Sequence, residues 1–154
     1  MSGADLRAAV GVAFDLLERV PGGGETVAAL ETAVQLAEQG EPSADRVESL
    51  GEGWVAEEAL AIAVYCALVA EHAWEGLLLA VNHSGDSDST GSICGNLLGA
   101  ERGPQEIPLA WRSQVEGVPT IIALADNLAD RRRRQLRPSW QDPTPQGRLD
   151  SESA

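Results

Sequence analysis

The segment from Trp54 to Glu71 constrains the fold most, because its apolar residues recur at the spacing of an α-helix. Its first turns carry Glu57 and Glu58, where the dipole of a helix favours acidic side chains. The pattern predicts a helix over 54–71 with a broad buried face. The residues that define this face are Val55, Ala59, Ile62, Ala63, Cys66, Val69 and Ala70.

Most of the remaining chain shows the same periodicity, interrupted by glycine and proline. Aromatic residues make up only 4% of the chain, a composition that suits packed helices better than β-sheets. The sequence therefore predicts an all-α domain over 1–135, a loop over 42–53 and a disordered tail over 136–154. The other predicted helices cover 5–19, 25–39, 74–81, 90–100, 108–115 and 120–134.

Large apolar side chains are expected to anchor the core of this domain. Trp54, Trp74 and Trp111 each lie at the edge of a predicted helix beside apolar neighbours, which favours buried anchors over exposed stacking surfaces. The last predicted helix has an apolar face that is expected to point inward. This face consists of Ile121, Ile122, Leu124, Ala125 and Leu128.

Three glycines share one face of the predicted helix over 90–100. Gly91, Gly95 and Gly99 are each four residues apart. Glycine in a helix interior costs about 1 kcal/mol relative to alanine. The repeated cost predicts that another backbone passes close to this face.

The formal net charge of −13 is unevenly distributed. Residues 1–130 hold five arginines and 21 acidic residues, residues 131–154 hold six arginines and three acidic residues, and lysine is absent. A body this acidic would repel nucleic-acid phosphates and anionic membranes, so neither is an expected partner. The run Arg131 to Arg134 is explained by the end of a helix, where the dipole favours cations.

The two cysteines, Cys66 and Cys94, lie in apolar surroundings, which favours buried free thiols and leaves a disulfide open. The chain starts Met-Ser-Gly-Ala-Asp, without the basic and apolar parts of a secretory leader. The longest apolar run, from Ala59 to Ala70, is too short to cross a membrane. We therefore expect a cytoplasmic protein.

The strongest functional signal is the acidic segment 82–91, Asn-His-Ser-Gly-Asp-Ser-Asp-Ser-Thr-Gly. Asp86 and Asp88 are two residues apart, among the hydroxyls of Ser87, Ser89 and Thr90. Clustered carboxylates are costly unless something positive neutralises them. A hard divalent cation prefers such oxygen ligands, so the segment predicts a metal site.

Two familiar Asp-x-Asp sites fit less well. A calcium-binding EF-hand loop that begins at Asp86 needs an acidic ligand at its twelfth position, which is Leu97. A haloacid-dehalogenase-type phosphatase matches Asp86, Asp88 and Thr90 literally, but 82–85 separate the aspartate from the apolar segment, and no lysine is available for the phosphoryl group.

A third interpretation needs no metal. Asp86 or Asp88 could simply cap the helix that begins near Thr90.

Two residues that precede the aspartates, Asn82 and His83, also have more than one possible role. Asn82 could orient Asp86 or form a turn, and His83 could contact substrate or a ligand water, or could hold the backbone. Glu57 and Glu58 could help a metal, although a solvated first helical turn explains them more simply.

The segment 82–100, Asn-His-Ser-Gly-Asp-Ser-Asp-Ser-Thr-Gly-Ser-Ile-Cys-Gly-Asn-Leu-Leu-Gly-Ala, resembles the C-terminal signature of the ADP-ribosylglycohydrolase family. The flanking segment 53–61, Gly-Trp-Val-Ala-Glu-Glu-Ala-Leu-Ala, is similar to the helix that precedes this signature. Ile107-Pro108 and Leu124-Ala125-Asp126 resemble the family's final helices. The resemblance covers about residues 5–135 and implies an all-α orthogonal helical bundle, like the C-terminal part of that fold.

The resemblance also implies a function and a set of site residues. Family members bind two magnesium ions and hydrolyse the bond between ADP-ribose and a modified side chain or a small acceptor; Mn²⁺ could replace Mg²⁺. The implied metal ligands are Asp86, Asp88 and Ser89, the last often threonine in relatives. Nearby groups that could contact substrate are Ser84, Gly85, Ser87 and Thr90, supported by Asn82 and His83.

The sequence departs from the family pattern in its first part. A Gly-Asp-Ala segment and a Thr-Asp-Asp cluster, which supply the other half of the metal site in full-length relatives, have no counterpart here. We therefore expect the C-terminal half of a truncated enzyme, beginning at an internal methionine, with catalytic residues unassigned and negligible activity alone. The alternatives are a non-catalytic remnant or binding module of the same scaffold, and one chain of a split enzyme that a separate chain completes.

Overall fold

The computed structural model describes residues 5–135, and these residues form eight α-helices, one short 3-10 helix over Pro104–Glu106 and no strand. The predicted all-α class is confirmed. The tail predicted over 136–154 lies outside the described residues. The helices are α1 (Leu6–Leu17), α2 (Gly24–Ala37), α3 (Ala44–Glu48), α4 (Ala56–Val69), α5 (Ala73–Val81), α6 (Ser87–Arg102), α7 (Leu109–Gln114) and α8 (Val118–Gln135).

Helix α3 lies inside the segment that was predicted to be a loop. Its N-cap is Ser43, whose hydroxyl oxygen accepts a hydrogen bond of 3.4 Å from the backbone N–H of Arg46. Val47 on this helix is fully buried. A five-residue helix is too short for its periodicity to show in the sequence.

Within residues 5–135, the structure divides into two compact units between Trp111 and Arg112, and the acidic segment lies in the first. Helix α4 is the centre of the first unit, where it packs against α2, α5 and α6. Seven consecutive residues, 61–67, are buried around its whole circumference. A helix that is apolar on all sides is stable only when neighbours surround it, which explains why α4 is the core element.

The glycine face of α6 packs against side chains of α5, so the prediction of a close backbone is wrong. A Cβ at Gly91 would lie 2.6 Å from Val81 Cγ1, and one at Gly95 would lie 3.3 Å from Leu77 Cδ2. At Gly99 a Cβ would meet nothing within 4 Å. A close backbone approach is found instead at Gly76 on α5, whose Cβ position is 3.0 Å from the carbonyl oxygen of Cys66.

The predicted burial of several large side chains is also wrong. The indole of Trp54 is 68% exposed, and Trp74 and Trp111 are more than a third exposed. Within the described part of the second unit, the apolar face of α8 is not covered, since Ile121, Ile122, Leu124, Ala125 and Leu128 are all exposed. Periodicity identifies an apolar face, but it does not establish that a neighbouring element covers it.

Both cysteines are buried free thiols, as predicted. Burial raises the pKa of the Cys94 thiol to about 12, and it raises the pKa of Cys66 further, with the neighbouring Cys94 adding to the effect. Among residues 5–135, no helix is long and apolar enough to cross a membrane.

Candidate metal centre

The acidic segment forms the connection between α5 and α6. Asn82 ends α5, and its side-chain amide donates a hydrogen bond of 2.6 Å to the carbonyl oxygen of Leu78. The last four carbonyls of a helix lack partners within the helix, so this bond satisfies one of them. Of the two open roles of Asn82, the structure shows the local one, at the end of its own helix.

The segment 48–53 holds this connection from the side. The backbone N–H of Asp86 donates a hydrogen bond of 2.8 Å to the carbonyl oxygen of Glu52. The N–H of Ser84 donates to Glu48 Oε1 at 3.3 Å. A Cβ at Gly85 would overlap the carbonyl group of Glu52, so only glycine fits at this crossing.

Asp86 is the N-cap of α6, because its Oδ1 accepts a hydrogen bond of 3.4 Å from the N–H of Ser89. The helix therefore begins at Ser87, three residues earlier than predicted. The capping interpretation is thus correct for Asp86, although a capping carboxylate retains lone pairs for a cation. Asp88 lies in the first turn and Asp86 caps it, so the dipole of α6 stabilises the negative charge of both.

The side chains of Asp86 and Asp88 lie within hydrogen-bonding reach of each other. This contact with Asp88, followed by a hydrogen bond from the Ser89 side chain, holds the pKa of Asp86 below its ordinary value. Asp88 is exposed, whereas Asp86 and Ser89 are partly exposed. The arrangement keeps Asp86 ionised and brings two carboxylates and a hydroxyl together at the surface.

His83 and Thr90 fix the two ends of the connection to each other. His83 Nδ1 accepts a hydrogen bond of 3.1 Å from the N–H of Gly85, so its protonated Nε2 donates to Thr90 Oγ1 at 3.0 Å. The Thr90 hydroxyl in turn donates to the carbonyl oxygen of Ala80 at 2.7 Å, near the end of α5. His83 therefore holds the backbone, which is one of its two predicted roles.

The predicted substrate-contacting residues differ in exposure. Ser84 is exposed, and Gly85 and Ser87 are partly exposed. The Ser87 hydroxyl lies 3.3 Å from the carbonyl oxygen of Gly85 and can donate to it. Thr90 is completely buried, so its geometry favours a structural role over a ligand contact.

The structure adds three glutamates that the sequence interpretation did not place beside the connection: Glu48, Glu52 and Glu58. Glu58 was expected to be solvated, but its Oε2 accepts hydrogen bonds from the N–H groups of Glu52 at 3.1 Å and Gly53 at 3.0 Å. Gly51 and Gly53 have positive φ angles of 120° and 78°, which shape this turn. The Gly-x-Gly pattern was the available signal for a constrained turn.

The candidate ligands have the oxygen chemistry that a hard cation prefers, but they are few. Two carboxylate groups and a hydroxyl are the oxygen ligands that Mg²⁺ and Mn²⁺ prefer. Within residues 5–135, no group of three or more His, Cys, Asp or Glu side chains is close enough to hold a metal ion. Asp86, Asp88 and Ser89 therefore form a partial ligand set.

Comparison with known proteins gives a match that includes Asp86, Asp88 and Ser89. The sequence model of the ADP-ribosylglycohydrolases matches residues 1–138 of this chain, a range that includes the whole acidic segment. No curated protein and no solved structure matches the chain. The family match indicates hydrolysis of the ADP-ribosylglycohydrolase type, with ADP-ribosylated substrates. Because the match covers most of its length, the chain belongs to the ADP-ribosylglycohydrolase family.

Proposed function

We propose that Asp86, Asp88 and Ser89 supply one part of a magnesium site for the hydrolysis of ADP-ribosyl glycosidic bonds. The reaction would remove ADP-ribose from a modified side chain or a small acceptor. The observation that supports this most directly is the contact between the carboxyl groups of Asp86 and Asp88 on a connection that is fixed at both ends. Two neighbouring carboxyl groups at a surface offer a divalent cation the oxygen ligands that it prefers.

Each residue has a defined part in this proposal. Asp86 remains ionised through its lowered pKa and stays oriented through its hydrogen bond to the N–H of Ser89. Asp88 and the Ser89 hydroxyl complete the donor set, and Ser84 and Ser87 lie beside it, where substrate hydroxyls could bind. Bound magnesium, with two ions in the complete site or Mn²⁺ in their place, would supply positive charge that orients the ribose and a water molecule.

The remaining ligands and the catalytic residue would come from outside residues 5–135. Two carboxylates, one hydroxyl and water bind a divalent ion weakly, because tight sites use more protein oxygens. We propose that a further segment or a separate partner chain carries the complementary acidic cluster. A cytoplasmic location is part of the same proposal, since free thiols such as Cys66 and Cys94 persist there.

The alternative function is a non-catalytic binding module on the same scaffold. One observation favours it: the Asp86 carboxylate already has a structural use as the N-cap of α6. In that case the acidic pair would contribute to helix stability alone. A measurement of metal binding distinguishes the two functions. If Asp86 acts only as an N-cap, Asp88 has no role as a metal ligand.

The test is Mn²⁺ binding measured by water-proton relaxation and by calorimetry on the full chain. We expect weak binding by the native chain and a loss of about tenfold or more in Asp86→Asn and in Asp88→Asn, because each variant removes one anionic ligand. Asparagine keeps the capping ability of residue 86, so the folded state survives. Asp45→Asn, which changes an exposed first-turn carboxylate on α3, is the matched control and should bind normally.

Equal metal binding by all four proteins, or no metal binding at all, would overturn the proposal in favour of the binding module.

Hydrolytic activity is a second readout. We expect negligible release of ADP-ribose from an ADP-ribosylated protein by this chain alone with magnesium. Turnover that disappears in Asp88→Asn would show that the chain needs no complement.

A further inference from the structure

Helix α8 has an apolar face that nothing within its own unit covers. Among residues 112–135, every residue of α8 from Pro119 to Gln135 is exposed. Helices in proteins gain most of their stability from the packing of such a face, and an isolated helix of this length is only marginally stable in water. The face therefore needs a covering surface from outside this unit. Its large side chains, which are 53–68% exposed, are Ile121, Ile122, Leu124 and Leu128.

The centre of this face has the spacing of a coiled-coil seam. Its residues follow one another at alternating intervals of three and four, which places them along one side of the helix. The acidic side chains Asp126 and Asp130 lie on the opposite side, where Asp130 forms an ion pair of 3.2 Å with Arg133. The seam itself is apolar until its last member, which is an arginine. It consists of Val118, Ile121, Ala125, Leu128 and Arg132.

The two ends of α8 carry charges of opposite sign. The exposed Glu116 lies just before the helix and eight residues before Leu124, and Arg132 lies eight residues after Leu124. Two copies of the helix packed in parallel would bring both runs Arg131 to Arg134 together, and like-charge repulsion opposes this arrangement. Two antiparallel copies instead bring the arginine run of each copy towards Glu116 of the other. The charge pattern is therefore complementary to itself in the antiparallel direction alone.

We propose that the seam of α8 is a dimer interface, on which α8 of a second copy of this chain packs antiparallel. In a pair centred between Ile121 and Leu128, these two residues of opposite copies face each other. Arg132 of each copy then lies near Glu116 of the other. An isologous dimer requires a surface that is complementary to itself after a two-fold rotation, and this seam meets that requirement in both its apolar and its charged residues.

The size of this surface predicts a weak dimer. A helix of 18 residues is about 27 Å long. A contact along one such helix falls at the low end of interface sizes, near or below about 1,200 Å² in total. The formal net charge of −13 on each copy also opposes association. We therefore expect dimers at high protein concentration and monomers on dilution.

The experiment is sedimentation velocity on the full chain, from low micromolar to near-millimolar concentration. We expect a reversible equilibrium between monomer and dimer. Leu128→Gln should weaken dimerisation about tenfold or more, because each dimer loses two apolar contacts at the centre of its interface. Glutamine is a good helix former, so α8 itself is retained. Ala123→Gln introduces the same side chain on the opposite, exposed side of α8, and this matched control should dimerise like the native chain.

The charged residues test the orientation of the two helices. Arg132→Glu should weaken an antiparallel dimer, because it places an acidic group beside Glu116 of the second copy, whereas it would strengthen a parallel dimer by relieving repulsion. Adding Glu116→Arg to the same chain should restore dimerisation. A nitroxide label on Gln135→Cys measures the orientation directly, because the two labels lie roughly 30 Å apart in an antiparallel pair and about 10 Å apart in a parallel one. The buried Cys66 and Cys94 should remain unlabelled.

A monomer at every concentration would overturn the proposal and leave the covering of this face to the rest of the same chain. Dimerisation that survives Leu128→Gln would also overturn it, because the interface would then lie on another surface. A short distance between the labels would exclude the antiparallel arrangement. These measurements contain no metal and no nucleotide, so their failure is separate from a failure of Mn²⁺ binding at Asp86 and Asp88.

Discussion

The backbone N–H of Asp86 donates a hydrogen bond of 2.8 Å to the backbone carbonyl oxygen of Glu52, and this bond joins two loops that are distant in the sequence. One loop carries the candidate ligands, and the other carries the exposed indole of Trp54. The position of Asp86 therefore depends on residues that bind no metal themselves.

Replacing Gly85 by alanine is expected to destabilise the protein by about 1–3 kcal/mol, because the new Cβ would overlap the Glu52 carbonyl. Urea denaturation measures this change. Gly99→Ala is the control, since a Cβ there meets nothing within 4 Å and alanine favours a helix interior by up to about 1 kcal/mol. Equal stability of Gly85→Ala and the native chain would contradict the packing described here.

Removing the hydroxyl of Thr90 should lower the free energy of unfolding more than removing its methyl group does. Thr90→Val leaves the Ala80 carbonyl and His83 Nε2 without this partner, at a cost of about 1–3 kcal/mol. Thr90→Ser keeps the hydroxyl and loses about 0.8 kcal/mol of apolar burial. Thermal unfolding of both variants tests the order, and a more stable valine variant would rule out the hydrogen-bonded role.

Glu58→Ala is expected to loosen the turn that holds Asp86, because it leaves the N–H groups of Glu52 and Gly53 without their acceptor. We expect a loss of about 1–2 kcal/mol for a partly exposed acceptor of this kind. Glu57→Ala, its neighbour in the first turn of α4, is the matched control. Hydrogen exchange at Gly53 should become faster in the Glu58 variant alone, and unchanged protection there would contradict the assignment.

Stability should fall with rising pH in the alkaline range because of the buried thiols. Unfolded thiols ionise above about pH 8.5, whereas Cys94 keeps its proton in the folded state up to about pH 12. The thiol contribution is therefore complete below pH 8.5 and decreases above it, by about 1.4 kcal/mol per pH unit for each thiol. Urea denaturation of the native chain and Cys94→Ala between pH 8 and 9.5 should show a shallower slope in the variant; identical slopes would exclude this cause.

Local patterns predicted the fold and the position of the acidic connection. The periodicity of α4 and the free state of Cys66 on α4 and Cys94 on α6 were readable, because each follows from the apolar residues along its own helix. The start of α6 was placed too late, since Asp86 is both a candidate ligand and a cap and the sequence does not separate the two uses.

Contacts between distant segments could not be predicted from the sequence. The exposure of Trp54 follows from a hydrogen bond to Glu52 and from the turn beneath it, and the exposed face of α8 has the same periodicity as a buried one. The role of Glu58 depends on the backbone direction at Gly51 and Gly53, which both have positive φ angles. Helical periodicity does not reveal which of these groups are covered or hydrogen-bonded by a distant segment.

The crossing of Gly85 and Glu52 also limits how the chain can vary in length. Surface turns commonly accept an extra residue, because lengthening a loop costs little entropy. In the turn from Gly51 to Trp54, an insertion would move the carbonyl of Glu52 away from Gly85 and Asp86, so a change here would be felt at the opposite loop. The length of this short turn is therefore fixed by the crossing. Other surface turns can accept insertions, but the same tolerance of insertions is not expected here.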